Sequence, residues 1–193
     1  MKELRVGVAL CGSFCTFSQM IPEIKRLTEL YETVIPILSE TSASTDTRFG
    51  AAEDFIREIE ALCGRKVIRS IPEAEPIGPQ KLLDILVVAP CTGNTLAKLA
   101  MGITDTAVTM AAKAHLRNGR PLVIGISTND ALAGNARNLG ELLCRRHVYF
   151  IPFRQDDPKG KPTSLVANLH LIPETIEEAL KGEQLQPILA VGA

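Results

Sequence analysis

A surplus of basic charge is missing from this chain: 21 Lys and Arg stand against 22 Asp and Glu, for a formal net charge of −1. That balance cannot neutralise a run of phosphates, so nucleic acid is not the expected partner. No apolar stretch approaches the ~20 residues a bilayer span needs, so no membrane segment is expected. Metal-ligand spacing is missing too, because the cysteines at 11, 15, 63, 91 and 144 and the histidines at 115, 147 and 170 never cluster. The Cys11–Cys15 pair is spaced CxxxC, not the CxxC of zinc or redox sites. An odd, scattered set of cysteines is no disulfide framework and favours a reducing compartment. The opening Met-Lys-Glu-Leu-Arg leads directly into a strand-like run without a small-residue cleavage site, which argues against a signal peptide. A soluble cytoplasmic protein is expected. Repeats, low-complexity segments and a second domain are also absent, and one domain over 1–193 is the expectation.

What is present is an alternation of short apolar runs with helical patterns. Strands are expected at 4–10, 34–38, 82–89, 122–126 and 148–151, the last of them closing the strand set. Helices are expected at 17–31, 51–63, 94–101, 106–116, 135–145 and 173–180. Pro36 marks 34–38 as an edge strand or one that ends early. The Ser/Thr-rich stretch 39–47 reads as a loop, and three prolines in 71–79 read as irregular chain. The continuous apolar run 82–89 is what a strand covered by helices on both faces requires. Strands separated by helices pair in parallel through right-handed crossovers. The expected architecture is therefore α/β: a three-layer, doubly wound parallel sheet of five to six strands.

In such sheets ligands bind beyond the carboxyl ends of the strands, which directs attention to four turns. After the first strand, Gly12 and Ser13 precede a helix whose free N–H groups suit a phosphate; Ser13 or Thr16 could equally serve as a simple helix cap. The 39–49 stretch offers hydroxyls, with Ser39 and Thr47 among them, and Arg48, and reads more simply as a solvated loop. After the central strand, Pro90, Thr92 and Asn94 form a small-residue turn where a planar ring could approach backbone amides. After the next strand, Ser127, Asn129 and their neighbours could bond a ligand or begin a helix. No catalytic triad is evident, and the histidines read as core or surface residues. Asp105, Asp156 and Asp157 are loop acids that form no recognisable acid–base pair.

The run APCTGNTLAKLAMGITD (89–105) resembles the APxTxNTxxKxAxGIxD signature of the flavoprotein family that includes the phosphopantothenoylcysteine and lantibiotic cysteine decarboxylases. That resemblance implies a Rossmann-like flavoprotein fold and FMN as a possible cofactor. By the family's motifs, Gly12 and Ser13 face the phosphate, joined by Ser39 and Thr47, while Pro90, Thr92 and Asn94 line the ring. Ser127 to Asn129 take its far edge, and Asp105 faces either the pocket or a neighbouring subunit. Further blocks, including TDTRFG (45–50), AEPIGPQKLLD (74–84), GISTNDAL (125–132) and FIPFRQDDP (150–158), resemble the B-subunit branch found in dipicolinate synthases. There an A subunit carries the pyridine-nucleotide fold, so NAD(P) is expected on that partner. Together the two subunits oxidise a dihydrodipicolinate-type precursor to dipicolinate in the mother cell of sporulating bacteria. A dicarboxylate ligand calls for cationic groups, with Arg48, Lys98 and Arg154 as candidates beside Lys113. Homo-oligomerisation is a further expectation from the family.

The departures limit what carries over. The decarboxylases' histidine has no counterpart in 70–81, and their Pro-x-Met-Asn motif is replaced by Ser127-Thr128-Asn129-Asp130. Their cysteine-bearing clamp is not matched in 152–163. A free-standing FMN-dependent decarboxylase and a non-catalytic scaffold for the A subunit are the alternatives.

Overall fold

The computed structural model describes residues 2–190; Met1 and 191–193, the ends of the expected 1–193 unit, lie outside the described residues. The first strand, β1 (Lys2–Leu10), is followed by a 3-10 turn at Phe14–Thr16, helix α1 (Phe17–Leu30) and β2 (Tyr31–Leu38). Helices α2 (Glu40–Ser44), α3 (Ala52–Cys63) and α4 (Ile71–Ala74) lead to β3 (Ile85–Cys91). Then come α5 (Gly93–Met101), α6 (Ala107–Leu116), β4 (Leu122–Thr128), α7 (Ala136–Leu143) and β5 (Val148–Phe150). A short hairpin of β6 (Phe153–Arg154) and β7 (Leu165–Ala167) precedes α8 (Ile172–Lys181).

The parallel strands lie in the order β2-β1-β3-β4-β5. Period-2 alternation sends their side chains to two separate cores. Val6, Val8 and Leu10 of β1 join Ile85 and Val87 of β3 beneath α1, α3 and α8. Ala9, Leu86, Val88, Leu122 and Ile124 face α5, α6 and α7 on the other side. All seven residues of β3 are buried, as a central strand covered on both faces demands. Each fully buried Val, Leu or Ile is worth about 1.5–3 kcal/mol, so this strand anchors both layers.

Three local expectations needed correction. The 39–47 stretch contains α2, because Ser39 Oγ accepts from Ser42 N at 3.2 Å and caps it. The proline-bearing 71–79 segment is helical at its start: Pro72 occupies the first turn, where its missing N–H costs nothing, and Glu73 closes a capping box with Ser70. The strand set does not close at 148–151, since β6 and β7 follow. At two and three residues these carry too little periodicity to stand out from a polar loop.

Pro36 does lie on an edge strand. Lacking an N–H, it still offers its carbonyl to Ile68 N at 3.0 Å, and Leu38 N donates to Ile68 O at 2.9 Å, so the chain at 67–68 covers that edge. The far end of β4 is used differently: its first half pairs with β5, and Ser127 and Thr128 pair antiparallel with β7. The hairpin therefore stands above the rim where the strands end.

Candidate functional site

The chain leaves β1 toward β2 on one side and returns past it to β3 on the other, so the strand order reverses between β1 and β3. Such a switch point opens a crevice at the strands' carboxyl ends. Here Cys11 N donates to Pro90 O at 3.2 Å, which fixes the turns after β1 and β3 side by side on one rim. Gly12, Ser13 and Thr92 line a single cleft of about 1110 Å³, together with Ser127, Asn129 and Arg154. That is slightly above the volumes typical for small-molecule sites, roughly 300–1,000 Å³.

The floor of the cleft is a group of hydroxyls. Ser13 Oγ lies 2.9 Å from Thr16 Oγ1 and 3.0 Å from Ser127 Oγ, and the last two are 3.3 Å apart. Neither Ser13 nor Thr16 caps the helix that follows. Of the two roles open to this turn, the hydroxyls face one another across the strand ends and leave the first N–H groups of α1 without a side-chain acceptor. A hydroxyl rotates to donate or accept as its partner requires. Three of them beside a helix N-terminus suit an anionic or polar ligand edge. Gly12 contributes openness rather than an unusual turn: a Cβ there would meet Phe14 and Thr41 at ordinary distances of 3.5 and 3.6 Å.

Behind the floor is a second polar network. Thr128 Oγ1 donates to Asp130 Oδ1 at 2.6 Å, and Asn135 Nδ2 donates to Asp130 Oδ2 at 2.7 Å. The Thr128 hydrogen bond, and then that from Asn135, hold the Asp130 carboxyl below the usual carboxylate range against the opposing effect of burial. Gly93, the first residue of α5, packs directly on this network. A Cβ there would stand 2.6 Å from Thr128 Oγ1 and from Asn135 Nδ2. Asp130 thus places negative charge near the start of α5, where the helix dipole favours it.

The other sequence candidates are placed as follows. Pro90 is buried, and its part at the rim is the carbonyl that receives Cys11 N. Asn94 is exposed on the first turn of α5, which Thr92 caps through its Oγ1, 3.4 Å from Thr95 N. Ser39 is buried at the end of β2, its N–H bonded to Leu10 O at 3.0 Å and its hydroxyl used by α2. Thr47 closes a small turn with Gly50 and accepts from Phe49 N at 3.1 Å. Arg48 lies over the Phe49 ring, 4.9 Å from its centroid, and Phe49 is the member of that turn that lines the cleft. Lys98 is tied to Asp105 at 2.8 Å, and neither belongs to the cleft wall.

Opposite α1, the β6–β7 hairpin forms the other wall and carries the cleft's cations. Lys161 is paired with Asp156 at 3.2 Å. Arg154 is exposed, and its guanidinium bonds only the Gln155 carbonyl, at 3.3 Å, among the described residues. Its fork is thereby available for a carboxylate.

Glu23, which the sequence does not single out, and His170, which it reads as a core or surface residue, both line the cleft. His170 Nδ1 lies 2.5 Å from Glu23 Oε1 although 147 positions separate them. The one signal was Glu23 itself, a carboxylate within the otherwise apolar buried stripe Phe17, Met20, Ile24 and Leu27 of α1. Cys11 and Cys91 are buried beneath the rim. Burial pushes the Cys11 thiol up to about 11 and the Cys91 thiol well above its ordinary value, so neither is a ready nucleophile. No group of three or more His, Cys, Asp or Glu able to hold a metal occurs among the described residues, and no described helix is long and apolar enough to cross a membrane.

A model of the flavoprotein family matches residues 1–144. The chain is 49% identical over 189 residues to the B subunit of dipicolinate synthase from Bacillus subtilis (strain 168), covering 98% of this chain and 94% of that protein. The crystal structure of the corresponding B subunit from Bacillus halodurans C superimposes with a TM-score of 0.90 at 46% identity, covering 98% of this chain and 97% of that one. The FMN-dependent cysteine decarboxylase SpaF shares the fold, with a TM-score of 0.67 at 21% identity over 92% of this chain and 95% of its own.

Proposed function

The chain belongs to the flavoprotein family, and from that premise we propose that it is the B-type subunit of a two-subunit enzyme that oxidises a dihydrodipicolinate-type precursor to dipicolinate. The observation that carries this reading is near end-to-end relatedness to the B subunit of dipicolinate synthase, at 49% identity over 98% of the chain. The cleft supports it chemically. Dipicolinate is a planar ring with two carboxylates, and Arg154 supplies a guanidinium without a carboxylate partner among the described residues. The hydroxyls of Ser13, Thr16 and Ser127 provide further donors at the floor.

The same floor fits a flavin phosphate or the polar edge of its ring, since hydroxyls and an uncapped helix N-terminus converge there without a carboxylate among them. Gly12 and Ser13 would hold the phosphate side, and Thr92, Ser127 and Asn129 the ring side. FMN, where bound, supplies a hydride acceptor. Ser39, Thr47, Pro90 and Asn94 would act through the shape of the rim. Pyridine nucleotide belongs to the A subunit, and this chain's part is to shape the substrate pocket and assist proton removal. Likeness to the cysteine decarboxylase SpaF at 21% identity is one of fold.

Co-expression with the cognate A subunit, followed by dipicolinate assay and cofactor identification, tests the reading. Dipicolinate should form with the pair and not with either subunit alone. If A alone matched the pair, a scaffold role would replace the catalytic one. Within the active pair, Arg154→Ala should raise the KM for the dicarboxylate by about 10- to 100-fold, the value of a charge-assisted hydrogen bond, with kcat changed less than KM.

A further inference from the structure

Glu23 is an unusual residue to bury. Its side chain is 4% exposed on the inner face of α1, yet it borders the cleft. Oε2 has no hydrogen-bond partner among the described residues, and the Arg26 guanidinium stands 3.7 Å from it. Burying a carboxylate is costly unless something compensates it. The compensation is His170, whose Nδ1 is 2.5 Å from Oε1. An ionised carboxylate only accepts, so the tautomer that suits this contact has its hydrogen on Nδ1 and leaves Nε2 over. The His170 side chain is 83% exposed and borders the same cleft as the Ser13–Ser127 floor and Arg154. Its backbone is fixed as well: Arg26 donates to the His170 carbonyl at 2.9 Å and lies 3.4 Å from Glu174 on α8.

A histidine held in one tautomer by a carboxylate, with its second nitrogen open to a ligand cleft, is the arrangement of a general base and its orienting acid. We propose that His170 is the proton acceptor of this cleft and that Glu23 positions it, an assignment that rests on the functional reading above. Aromatising a dihydropyridine removes one hydride and one proton. The hydride, with its electron pair, passes to a nicotinamide or flavin acceptor. The proton goes to Nε2, and the electron pair of the bond it leaves stays in the ring to complete the pyridine. The imidazolium so formed keeps its Nδ1 hydrogen on Glu23, whose charge stabilises it. The neighbouring charges are Arg26 from α1, Glu174 from α8, and Arg154, Asp156 and Lys161 from the hairpin wall.

The test uses the full chain together with its A subunit. His170→Ala should lower kcat by at least about 100-fold, the lower end for loss of a general base, with KM for the substrate within threefold. Free imidazole should restore part of the rate. Glu23→Gln keeps the volume and an acceptor oxygen but removes the charge. It should lower kcat about tenfold or more and leave the melting temperature near that of the parent. Independently of turnover, 15N spectra of labelled imidazole should show the Nδ1–H tautomer in the parent and a mixture of tautomers in Glu23→Ala. An active pair whose His170→Ala variant turns over at the parent rate would overturn the assignment, as would an Nε2–H tautomer in the parent. If the parent pair forms no dipicolinate, the functional reading itself fails, and this assignment fails with it.

Discussion

Gly93 shows how much one residue carries in this site. It begins α5 at the point where Thr128, Asp130 and Asn135 converge, and a Cβ would stand 2.6–2.7 Å from an atom of each. Those atoms are the members of the hydrogen-bonded network that fixes Asp130, so they cannot move apart without losing bonds. Gly93→Ala should destabilise the fold by about 1–3 kcal/mol, seen as a lower urea midpoint at unchanged m-value. The need for glycine here was not legible in the motif, where Gly93 reads as turn punctuation before a helix. Its three close contacts come from positions 35–42 residues further along the chain. Glu23 and His170 make the same point, since the carboxylate buried in the apolar face of α1 and the imidazole that meets it lie 147 positions apart.

Among the elements, those with long apolar patterns were readable and those defined by pairing were not. The amphipathic stripe of α1 and the buried run of β3 announce themselves because burial of one face or of both leaves a periodic record. The proline-rich stretch at 71–79 misled because proline forbids a helix interior, not a first turn. The β6–β7 hairpin left no record at all, yet it brings Arg154 and Lys161 to the cleft. Helix α7 offers a clean check on the helical assignments. Gly140 lies within Ala136–Leu143, is exposed, and has nothing within 4 Å of an added Cβ. Gly140→Ala should therefore stabilise the protein by about 0.5–1 kcal/mol, measured as a higher melting temperature, through lower backbone entropy in the unfolded chain.

For the molecule as a whole, two clusters of ionisable groups stand at the two ends of the parallel strands. The cleft rim holds Glu23, His170, Arg154 and Asp130. At the amino end of β3, Asp84 receives Arg5 Nη2 at 2.7 Å and Arg120 Nη1 at 3.2 Å. Close by, His115 is 1% exposed, with Nε2 2.9 Å from Pro121 O. Burial pulls the His115 imidazole down to about 4, from an ordinary value of 6.5. A group depressed on folding binds its proton more readily in the unfolded chain, so stability is at its full value above pH 6.5 and falls as the pH drops toward 4. The loss contributed by this residue is up to about 3 kcal/mol. Urea titrations at pH 7 and pH 4.5 should show the drop, and His115→Leu should flatten the part of it that lies between those values.

The sequence by itself determined the layered α/β architecture, the parallel core strands and the rim on which Gly12, Ser13 and Thr92 meet. Each of these follows from a local pattern combined with a general rule of chain topology. Only the tertiary structure decided which hydroxyls face one another, that Ser39 and Lys98 are spent on neighbours, and that Glu23 holds His170. Those pairings join residues far apart in the chain, and a side chain's partner depends on distances that periodicity does not encode.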